Sequence, residues 1–272
     1  VMDKVKHKAQ GISLHYYTIP GDTWEHKGSA TDFDTKEYYK TITRAYRMEE
    51  LINNHIAVMN SINPQQWVQL VVDEWGTWYD VEPGTNPGFL YQQNTMRDAI
   101  VAALTLNIFN KHSDRVMMAN IAQTVNVLQA MILTDSEKMV LTPTYYVFKM
   151  FKEHQNNTLL GSFITSSVIE SKEANRTCPK LIESASVDEN GIIYSTIVNV
   201  SDKKSDKIKC QIADSKIKSV KAEILTGDIH DKNDFDSRDN VKIQEFTDFR
   251  QLKDGFTLEI PACSVVKFTI EV

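Results

Sequence analysis

Apolar residues in the first half of the chain follow two alternating spacings. Three short runs rich in apolar or aromatic residues predict strands, namely residues 11–17, 67–72 and 115–120, and the run 67–72 is almost continuously apolar. Apolar side chains at steps of three and four, or a proline that opens a helix, predict helices over residues 35–63, 95–111 and 143–154. Strand and helix thus alternate three times, which is typical of a parallel α/β fold, here residues 1–155.

The spacing changes near residue 155. Helical periodicity ends there, and short alternating strands are predicted at residues 192–198, 219–225, 256–260 and 265–272. Turn sequences such as Asn190-Gly191 and Asp254-Gly255 separate these strands. We therefore expect a second, all-β domain over residues 156–272, folded as a β-sandwich.

Composition narrows the class of protein. The 272 residues are 42% hydrophobic and 24% charged, as expected for a globular protein, and the net charge of -6 argues against a nucleic-acid partner. No apolar run approaches the roughly 18 to 20 residues that cross a bilayer. The three cysteines form no CxxC pair, which disfavours a zinc site or disulfide framework and favours a reducing compartment. The first residues resemble the tail of a helix, so we expect the chain to begin within a longer protein.

The strongest candidate for chemistry is Glu74, which follows the apolar run 67–72. An acidic residue where a parallel barrel strand meets its loop lies at the mouth of the barrel, and a carboxylate there can attack an anomeric carbon. Trp75 and Trp78 offer apolar faces suited to a sugar ring. The alternative is a structural role, in which Glu74 caps or salt-bridges the loop.

Polar residues on the two flanking strands are expected at the same mouth. His15 and Tyr17 end the first strand and are placed to orient the carboxylate and restrain its ionised form. Asn120 and Gln123 follow the third strand and can bind sugar hydroxyls, although a loop turn or a satisfied core amide explains them equally well.

Three ordered motifs carry a resemblance to a known family: residues 13–18 (SLHYYT), 73–79 (DEWGTWY) and 120–127 (NIAQTVNV). Together with the tail segments 225–228 and 260–266, they resemble the C-terminal half of glycoside hydrolase family 51 α-L-arabinofuranosidases. The resemblance implies the second half of a (β/α)8 TIM barrel followed by a C-terminal antiparallel β-sandwich.

The resemblance also implies roles for matched positions. Glu74 falls on the nucleophile, and His15 and Tyr17 fall on residues that line the catalytic carboxylates. Trp78 matches a wall of the sugar site and Gln123 a residue that binds arabinose hydroxyls. The implied reaction releases terminal α-L-arabinofuranosyl residues from arabinan, arabinoxylan or arabino-oligosaccharides. It proceeds by double displacement through a covalent arabinosyl-enzyme, with no metal or organic cofactor.

The sequence differs from the family's motifs at a few positions and lacks one of them, and the missing motif determines which partner we expect. Gly76 stands where many relatives carry Asn, and the segment after Phe235 lacks the family's proline. The family's Asn-Glu acid/base motif has no counterpart in a suitable setting, so we expect the N-terminal half of the enzyme as a partner and no normal turnover by this chain alone. The resemblance further implies a homo-oligomer, commonly a hexamer, and we expect a cytoplasmic protein with neither nucleic-acid nor membrane partners.

Two other functions remain open. One is another retaining glycosidase of the same clan, such as a xylosidase or an endoglucanase. The other is a non-catalytic carbohydrate-binding protein built on a degenerate barrel. The segments at residues 15–17 and 120–127 favour the arabinofuranosidase over the first, and the presence of Glu74, His15 and Tyr17 argues against the second.

Overall fold

The computed structural model describes residues 1–213 and 215–272. The helices are α1 (Met2–Val5), α2 (Thr35–Ala45), α3 (Arg47–Ile62), α4 (Met96–Lys111) and α5 (Pro143–Phe151), with 3-10 turns at Pro87–Phe89 and Lys152–His154. The first strands are β1 (Gly11–Thr18), β2 (Gln69–Thr77), β3 (Val116–Ile121), β4 (Ile132–Asp135), β5 (Lys138–Leu141), β6 (Thr158–Leu160), β7 (Val168–Ser171) and β8 (Arg176–Pro179). The later strands are β9 (Leu181–Val187), β10 (Ile193–Asn199), β11 (Asp206–Gln211), β12 (Ser219–Thr226), β13 (Gln244–Glu245), β14 (Phe249–Gln251), β15 (Gly255–Ile260) and β16 (Ser264–Glu271).

The N-terminal part is built on a parallel sheet in the order β1-β2-β3. Helices α2 and α3 connect β1 to β2, and α4 connects β2 to β3, so the predicted alternation of strand and helix is confirmed. The helix predicted over residues 35–63 is in fact two helices, which meet at Tyr46. The gap in apolar spacing between Tyr46 and Ile52 marks this break.

Strand β2 extends farther than the strand that was predicted from the apolar run at residues 67–72. It continues to Thr77 because β1 supplies parallel backbone partners as far as Thr18, which is paired with Thr77. Glu74 therefore lies inside the strand, and the prediction that it sits where the strand meets its loop is corrected. The hydrogen-bonded neighbours, more than local hydrophobicity, determine where this strand ends.

Side-chain caps fix where two of the connecting helices begin. Asp34 accepts hydrogen bonds from the amides of Lys36 and Glu37 at the start of α2, and the Glu37 carboxylate accepts one from the Asp34 amide. Thr95 and Asp98 form the same reciprocal arrangement at the start of α4. Each pair satisfies amide groups that the first helical turn leaves without partners.

The C-terminal part is antiparallel. A six-stranded sheet in the order β13-β12-β16-β10-β9-β6 and a three-stranded sheet in the order β11-β15-β14 contribute to one apolar core, in which the rings of Phe256 and Phe268 lie 4.7 Å apart. The predicted strands at β10, β12, β15 and β16 are confirmed. The sequence did not predict β9, because this strand buries polar side chains such as Ser184 among hydrogen-bonding partners instead of alternating with apolar ones.

Helix α4 lies between the two parts and is buried around most of its circumference. Its apolar residues join a cluster that includes Leu70 and Val72 of β2 and also Val198 and Val265 of the six-stranded sheet. The two parts are therefore held together by a continuous core. In residues 1–213 and 215–272, no helix is long and apolar enough to cross a membrane.

Candidate active site on the parallel sheet

An extra residue in β2 shapes the site. Ser13 pairs with Val71 and His15 pairs with Glu74, so two steps along β1 match three steps along β2. The register against β3 shifts over the same stretch. Because a bulge interrupts the alternation of side chains, Asp73 and Glu74 are both at least partly exposed, whereas the flanking Val72 and Trp75 are buried.

The two adjacent carboxylates flank His15. The Nε2 atom of His15 lies 3.0 Å from Oδ1 of Asp73, and its Nδ1 atom lies 3.6 Å from Oε2 of Glu74. The Ser13 hydroxyl donates a 2.7 Å hydrogen bond to the same Asp73 oxygen. This bond, with a smaller contribution from His15, holds the pKa of Asp73 below its usual range. Asp73 therefore stays ionised and restrains the histidine ring beside Glu74.

Tyr17 contacts the candidate nucleophile directly. Its hydroxyl donates a 2.7 Å hydrogen bond to Oε2 of Glu74. Burial, together with this bond to the carboxylate, raises the pKa of Tyr17, so the phenol remains a proton donor at neutral pH. The bond leaves Oε1 of Glu74 without a hydrogen bond from the described residues. A carboxylate held in this way can act as a nucleophile while the tyrosine fixes its orientation.

An aromatic wall borders the carboxylates. The Trp78 ring meets the Tyr17 ring edge-on at 4.9 Å, and Trp24 meets Trp78 edge-on at 5.1 Å. The Nζ atom of Lys27 lies 5.3 Å from the Trp24 ring and 5.7 Å from the Trp78 ring. Such a wall offers apolar faces to the C–H side of a sugar, and the Lys27 ammonium over the two rings is a hydrogen-bond donor.

A buried polar network holds Trp78 in place through its two chain neighbours. Asp98 at the start of α4 accepts hydrogen bonds from the hydroxyls of Thr77, at 2.7 Å, and Tyr79, at 2.9 Å. Burial raises the pKa of Asp98, in opposition to these bonds and to Arg97 beside it. Since both neighbours of Trp78 are anchored, the direction in which its ring leaves the backbone is fixed.

Gly76 meets a steric requirement on the other side of the same segment. Its φ is +141°, a conformation that other residues rarely adopt. A Cβ atom there would lie 3.1 Å from Oε1 of Gln129, the atom that accepts a hydrogen bond from the Thr77 amide. The glycine at this position thus makes room for Gln129.

The remaining predicted substrate ligands lie along and beyond β3. Asn120 is exposed on β3, and Gln123 is exposed two residues beyond Ile121, the residue paired with Trp75. In the part of the chain that the structure describes, neither side chain makes a hydrogen bond to protein. Both amides are thus free to bind a ligand, as a sugar site requires.

The prediction for Trp75 is wrong. This side chain is 1% exposed and packs against Phe109 at 5.3 Å and Phe148 at 6.1 Å, on the face of the sheet that the helices cover. Adjacent strand residues face opposite sides beyond the bulge, so Trp75 cannot share the open face with Glu74. Trp75 is a core residue that supports the strand from behind.

Among the residues that border the candidate carboxylate, sequence reasoning missed four: Ser13, Asp73, Trp24 and Lys27. In a regular strand, adjacent side chains face opposite sides, so the sequence predicts that Asp73 points away from Glu74. No local sequence pattern indicates the bulge that places both on the open face. The signal for Trp24 was weak, since it stands in a polar loop of turn residues far from the motifs. The position of Trp24 depends on its contact with Trp78, which lies 54 residues farther along the chain.

Comparison with known proteins identifies the family. The sequence profile described as "Alpha-L-arabinofuranosidase C-terminal domain" matches residues 73–264. The chain belongs to this family. This match, together with the relatives described next, confirms the resemblance to glycoside hydrolase family 51 drawn from the three motifs.

Individual relatives extend the match beyond the profile. The chain is 42% identical over 273 residues to an intracellular exo-alpha-L-arabinofuranosidase of Bacteroides ovatus, covering 100% of this chain and 52% of that protein. The crystal structure of the family 51 arabinofuranosidase of Xanthomonas axonopodis pv. citri superposes with a TM-score of 0.92 at 41% identity, covering 96% of this chain and 53% of that one. An arabinose complex of the Thermotoga maritima enzyme shares the fold, with a TM-score of 0.78 at 24% identity. The chain thus spans about half the length of these relatives.

Proposed function

We propose that residues 1–155 form the C-terminal part of a (β/α)8 barrel and that residues 156–272 form a β-sandwich packed on it. The order of the parallel sheet and the helical crossovers support the first half of this proposal. Strands β1 and β3 each pair with only one strand in the part of the chain that the structure describes. A further set of strands and helices, supplied by the other half of the relatives' length, would pair with both edges and close the barrel.

The proposed reaction is hydrolysis of terminal α-L-arabinofuranosyl groups with retention of configuration. The observation that carries it is the Glu74 carboxylate, which is bonded to Tyr17, adjacent to His15 and bordered by Trp78. Arabinan, arabinoxylan and arabino-oligosaccharides are the substrate class. The name of the Bacteroides relative, an exo-alpha-L-arabinofuranosidase, supports removal of end groups.

In the first step, an oxygen of Glu74 attacks the anomeric carbon as the bond to the leaving oxygen breaks. The leaving oxygen takes a proton from an acid/base glutamate, which we assign to the N-terminal half. In the second step, that glutamate deprotonates a water molecule, which attacks the anomeric carbon and restores the Glu74 carboxylate. Tyr17 and His15 orient the nucleophile, while Trp78, Gln123 and Asn120 bind the sugar.

The partners follow from the same proposal. Because both carboxyl groups are needed, the working enzyme is this chain joined to its N-terminal half, referred to below as the assembled enzyme. Assembly as a homo-oligomer of the family type, commonly a hexamer, stays a prediction. We propose a cytoplasmic location, which the intracellular designation of the Bacteroides relative supports.

A mechanism-based arabinofuranosyl inactivator tests the assignment of Glu74. The assembled enzyme is incubated with the reagent, and the mass of this chain is measured before peptide mapping. We expect one arabinosyl-sized adduct, located on Glu74 and absent from Glu74→Gln. A matched control is Glu259→Gln, which alters a carboxylate on β15 in the antiparallel part and should leave labelling unchanged.

The same measurement separates the competing functions. An adduct on another residue would refute Glu74 as the nucleophile. Binding of arabino-oligosaccharides by the assembled enzyme, with no adduct and no turnover, would instead support a non-catalytic carbohydrate-binding protein. Labelling by a xylosyl reagent in preference to the arabinofuranosyl reagent would favour another glycosidase of the clan.

A further inference from the structure

A loop of the antiparallel part contacts the start of helix α4. This loop, residues 227–233, follows β12 and is called the β12 loop below. The carbonyl of Asp231 accepts a 2.8 Å hydrogen bond from the Met96 amide, and the carbonyl of Ile229 accepts a 3.3 Å bond from the Arg97 amide. Because the first amides of a helix have no partners within it, these bonds fix the start of α4 against the antiparallel part.

The side chain of Arg97 is completely buried at this junction. Its Cζ atom lies 3.7 Å from the centre of the Phe33 ring and 4.1 Å from the centre of the Tyr79 ring. Its Nη2 atom donates hydrogen bonds to the carbonyls of Ser29, at 2.8 Å, and Ala30, at 3.1 Å. Its Nε and Nη1 atoms have no hydrogen-bond partner in the part of the chain that the structure describes. The guanidinium is therefore held largely by contact with two aromatic faces.

A series of stacked planar groups extends from the β12 loop to Arg97. The His230 ring stacks on Phe33, with ring centroids 4.4 Å apart and an angle of 24° between the planes. The Nε2 atom of His230 also donates a 2.7 Å hydrogen bond to the Phe33 carbonyl. Since Phe33 contacts Arg97 and Arg97 contacts Tyr79, the series connects the antiparallel part with the residue that follows Trp78.

Arg97 also joins the loop between β1 and α2 to the end of β2. Arg44 holds the start of this loop by donating hydrogen bonds to its carbonyls, at 2.9 and 3.1 Å. Asp80 holds a later point by accepting a 3.1 Å bond from the Lys27 amide. Arg97 holds the next residues of the loop, and the same guanidinium contacts Tyr79. Arg97 thus fixes the loop and the end of β2 relative to each other.

We propose that Arg97 is a positioning residue for the sugar-binding wall, and that the β12 loop holds it in place through His230 and Phe33. Arg97 is buried and acts through Tyr79, whose chain neighbour Trp78 borders the sugar. This inference rests on the proposed function. It gives the antiparallel part a role in substrate binding, exerted from behind the site.

The substitution Arg97→Met tests the inference in the assembled enzyme. It removes the guanidinium but leaves Glu74 and its partner Tyr17 unchanged, so we expect KM for an arabino-oligosaccharide to rise by about fivefold or more while kcat changes by less than about twofold. A purely structural role would reduce the fraction of folded enzyme, which lowers the apparent kcat and leaves KM unchanged. An unchanged KM would therefore overturn the inference.

A second variant keeps the test decisive if Arg97→Met does not fold. His230 is at the exposed end of the series, with 46% of its side chain accessible, so its truncation leaves the core intact. For His230→Ala we expect KM to rise by about twofold or more, again with little change in kcat. A wild-type KM in this variant would show that the β12 loop does not act on the wall, and the inference would fail.

The chain offers a matched control for Arg97→Met. Arg115 is just as buried, and its guanidinium nitrogens likewise lack hydrogen-bond partners among the described residues. It immediately precedes β3, at the end of the sheet away from Glu74. Arg115→Met should leave KM within about twofold of the wild-type value. A rise equal to that of Arg97→Met would show that KM responds to the loss of any buried arginine, and would overturn the inference.

Hydrogen exchange followed by mass spectrometry keeps the inference separate from the catalytic proposal. The amides of residues 77–80 all donate hydrogen bonds to other segments. Peptides that cover these residues should exchange about tenfold faster in Arg97→Met and at the wild-type rate in Arg115→Met. This result supports the positioning role even if the wild-type enzyme hydrolyses no arabinofuranoside, an outcome that would refute the proposed reaction alone. Unchanged exchange over residues 77–80 overturns the inference whatever the kinetics show.

Discussion

The free energy of unfolding should depend on pH through His154, which ends the 3-10 turn after α5. Its Nδ1 atom lies 2.8 Å from the Ser186 hydroxyl and its Nε2 atom 3.1 Å from the Thr196 hydroxyl, so the neutral ring finds partners on both sides. Burial, with a smaller effect of nearby Lys267, lowers the pKa of His154 from 6.5 to about 4. The folded state therefore disfavours protonation that the unfolded chain accepts.

The lowered pKa of His154 determines how the free energy of unfolding changes with pH. A histidine whose pKa is lower in the folded state contributes stability above its unfolded pKa and loses that contribution as the pH falls toward the folded value. Each pKa unit corresponds to 1.36 kcal/mol, so the loss between pH 6.5 and pH 4 is about 3 kcal/mol. That is a large fraction of the total stability of a typical domain.

The perturbation is His154→Gln, which keeps a side chain able to hydrogen-bond with hydroxyls but removes the titration. Urea unfolding of this variant and of the wild type, followed by circular dichroism from neutral pH to about pH 4, gives the two stability curves. Carboxylates and other histidines affect both proteins alike and cancel in the difference. We expect the wild type to lose about 3 kcal/mol more than the variant on acidification. Parallel curves would show that His154 is not buried as a neutral ring and would refute the reasoning.

Three further perturbations test other parts of the molecule. Tyr17→Phe removes the 2.7 Å hydrogen bond to Glu74, so kcat for arabinofuranosyl substrates should fall by about 10- to 100-fold with little change in KM, and an unchanged kcat would argue against a positioning role. Gly76→Ala places a Cβ atom 3.1 Å from Gln129 at a φ of +141°, so chemical unfolding should show a loss of about 1 to 3 kcal/mol, and a variant as stable as the wild type would contradict the steric argument. Although burial opposes the charged form of His230, hydrogen bonds to a backbone carbonyl and to a neighbouring carboxylate raise its pKa. Its contribution is then complete below the unfolded pKa and is lost as the pH rises through the higher folded value, so urea unfolding should show the wild type's advantage over His230→Gln shrinking as the pH rises above about 6.5.

The main candidate residues could be predicted because short-range patterns carry the information. His15 and Tyr17 are two positions apart in an extended strand, so they share a face in any sheet that contains them. Glu74 follows a run rich in β-branched and apolar residues, which indicates a strand. Neighbouring parallel strands end at the same edge of a sheet, which is why the sequence indicated that Tyr17 and Glu74 lie close together.

Local patterns did not predict which side chains of β2 face the open side of the sheet, because this depends on the register between neighbouring strands. Asp73 joins Glu74 on the open face only because β2 holds one residue more than β1 and β3 over the same stretch. Trp75, predicted to contact substrate, is turned into the core because the alternation of faces resumes after the bulge. A bulge is a property of the pairing between strands and leaves no unambiguous mark on one of them.

The sequence by itself therefore determined the alternation of strand and helix in the first half, the change to an all-β second half, the family and the central carboxylate with its tyrosine. Periodicity and motif residues act over a few positions, and no distant contact is needed to interpret them. Only the tertiary structure decided that Asp73 restrains His15 and that Arg44 and Asp80 fix the loop bearing Trp24. Those arrangements depend on strand register and on hydrogen bonds between segments that are far apart in the chain, and the folded backbone alone brings such groups within bonding distance.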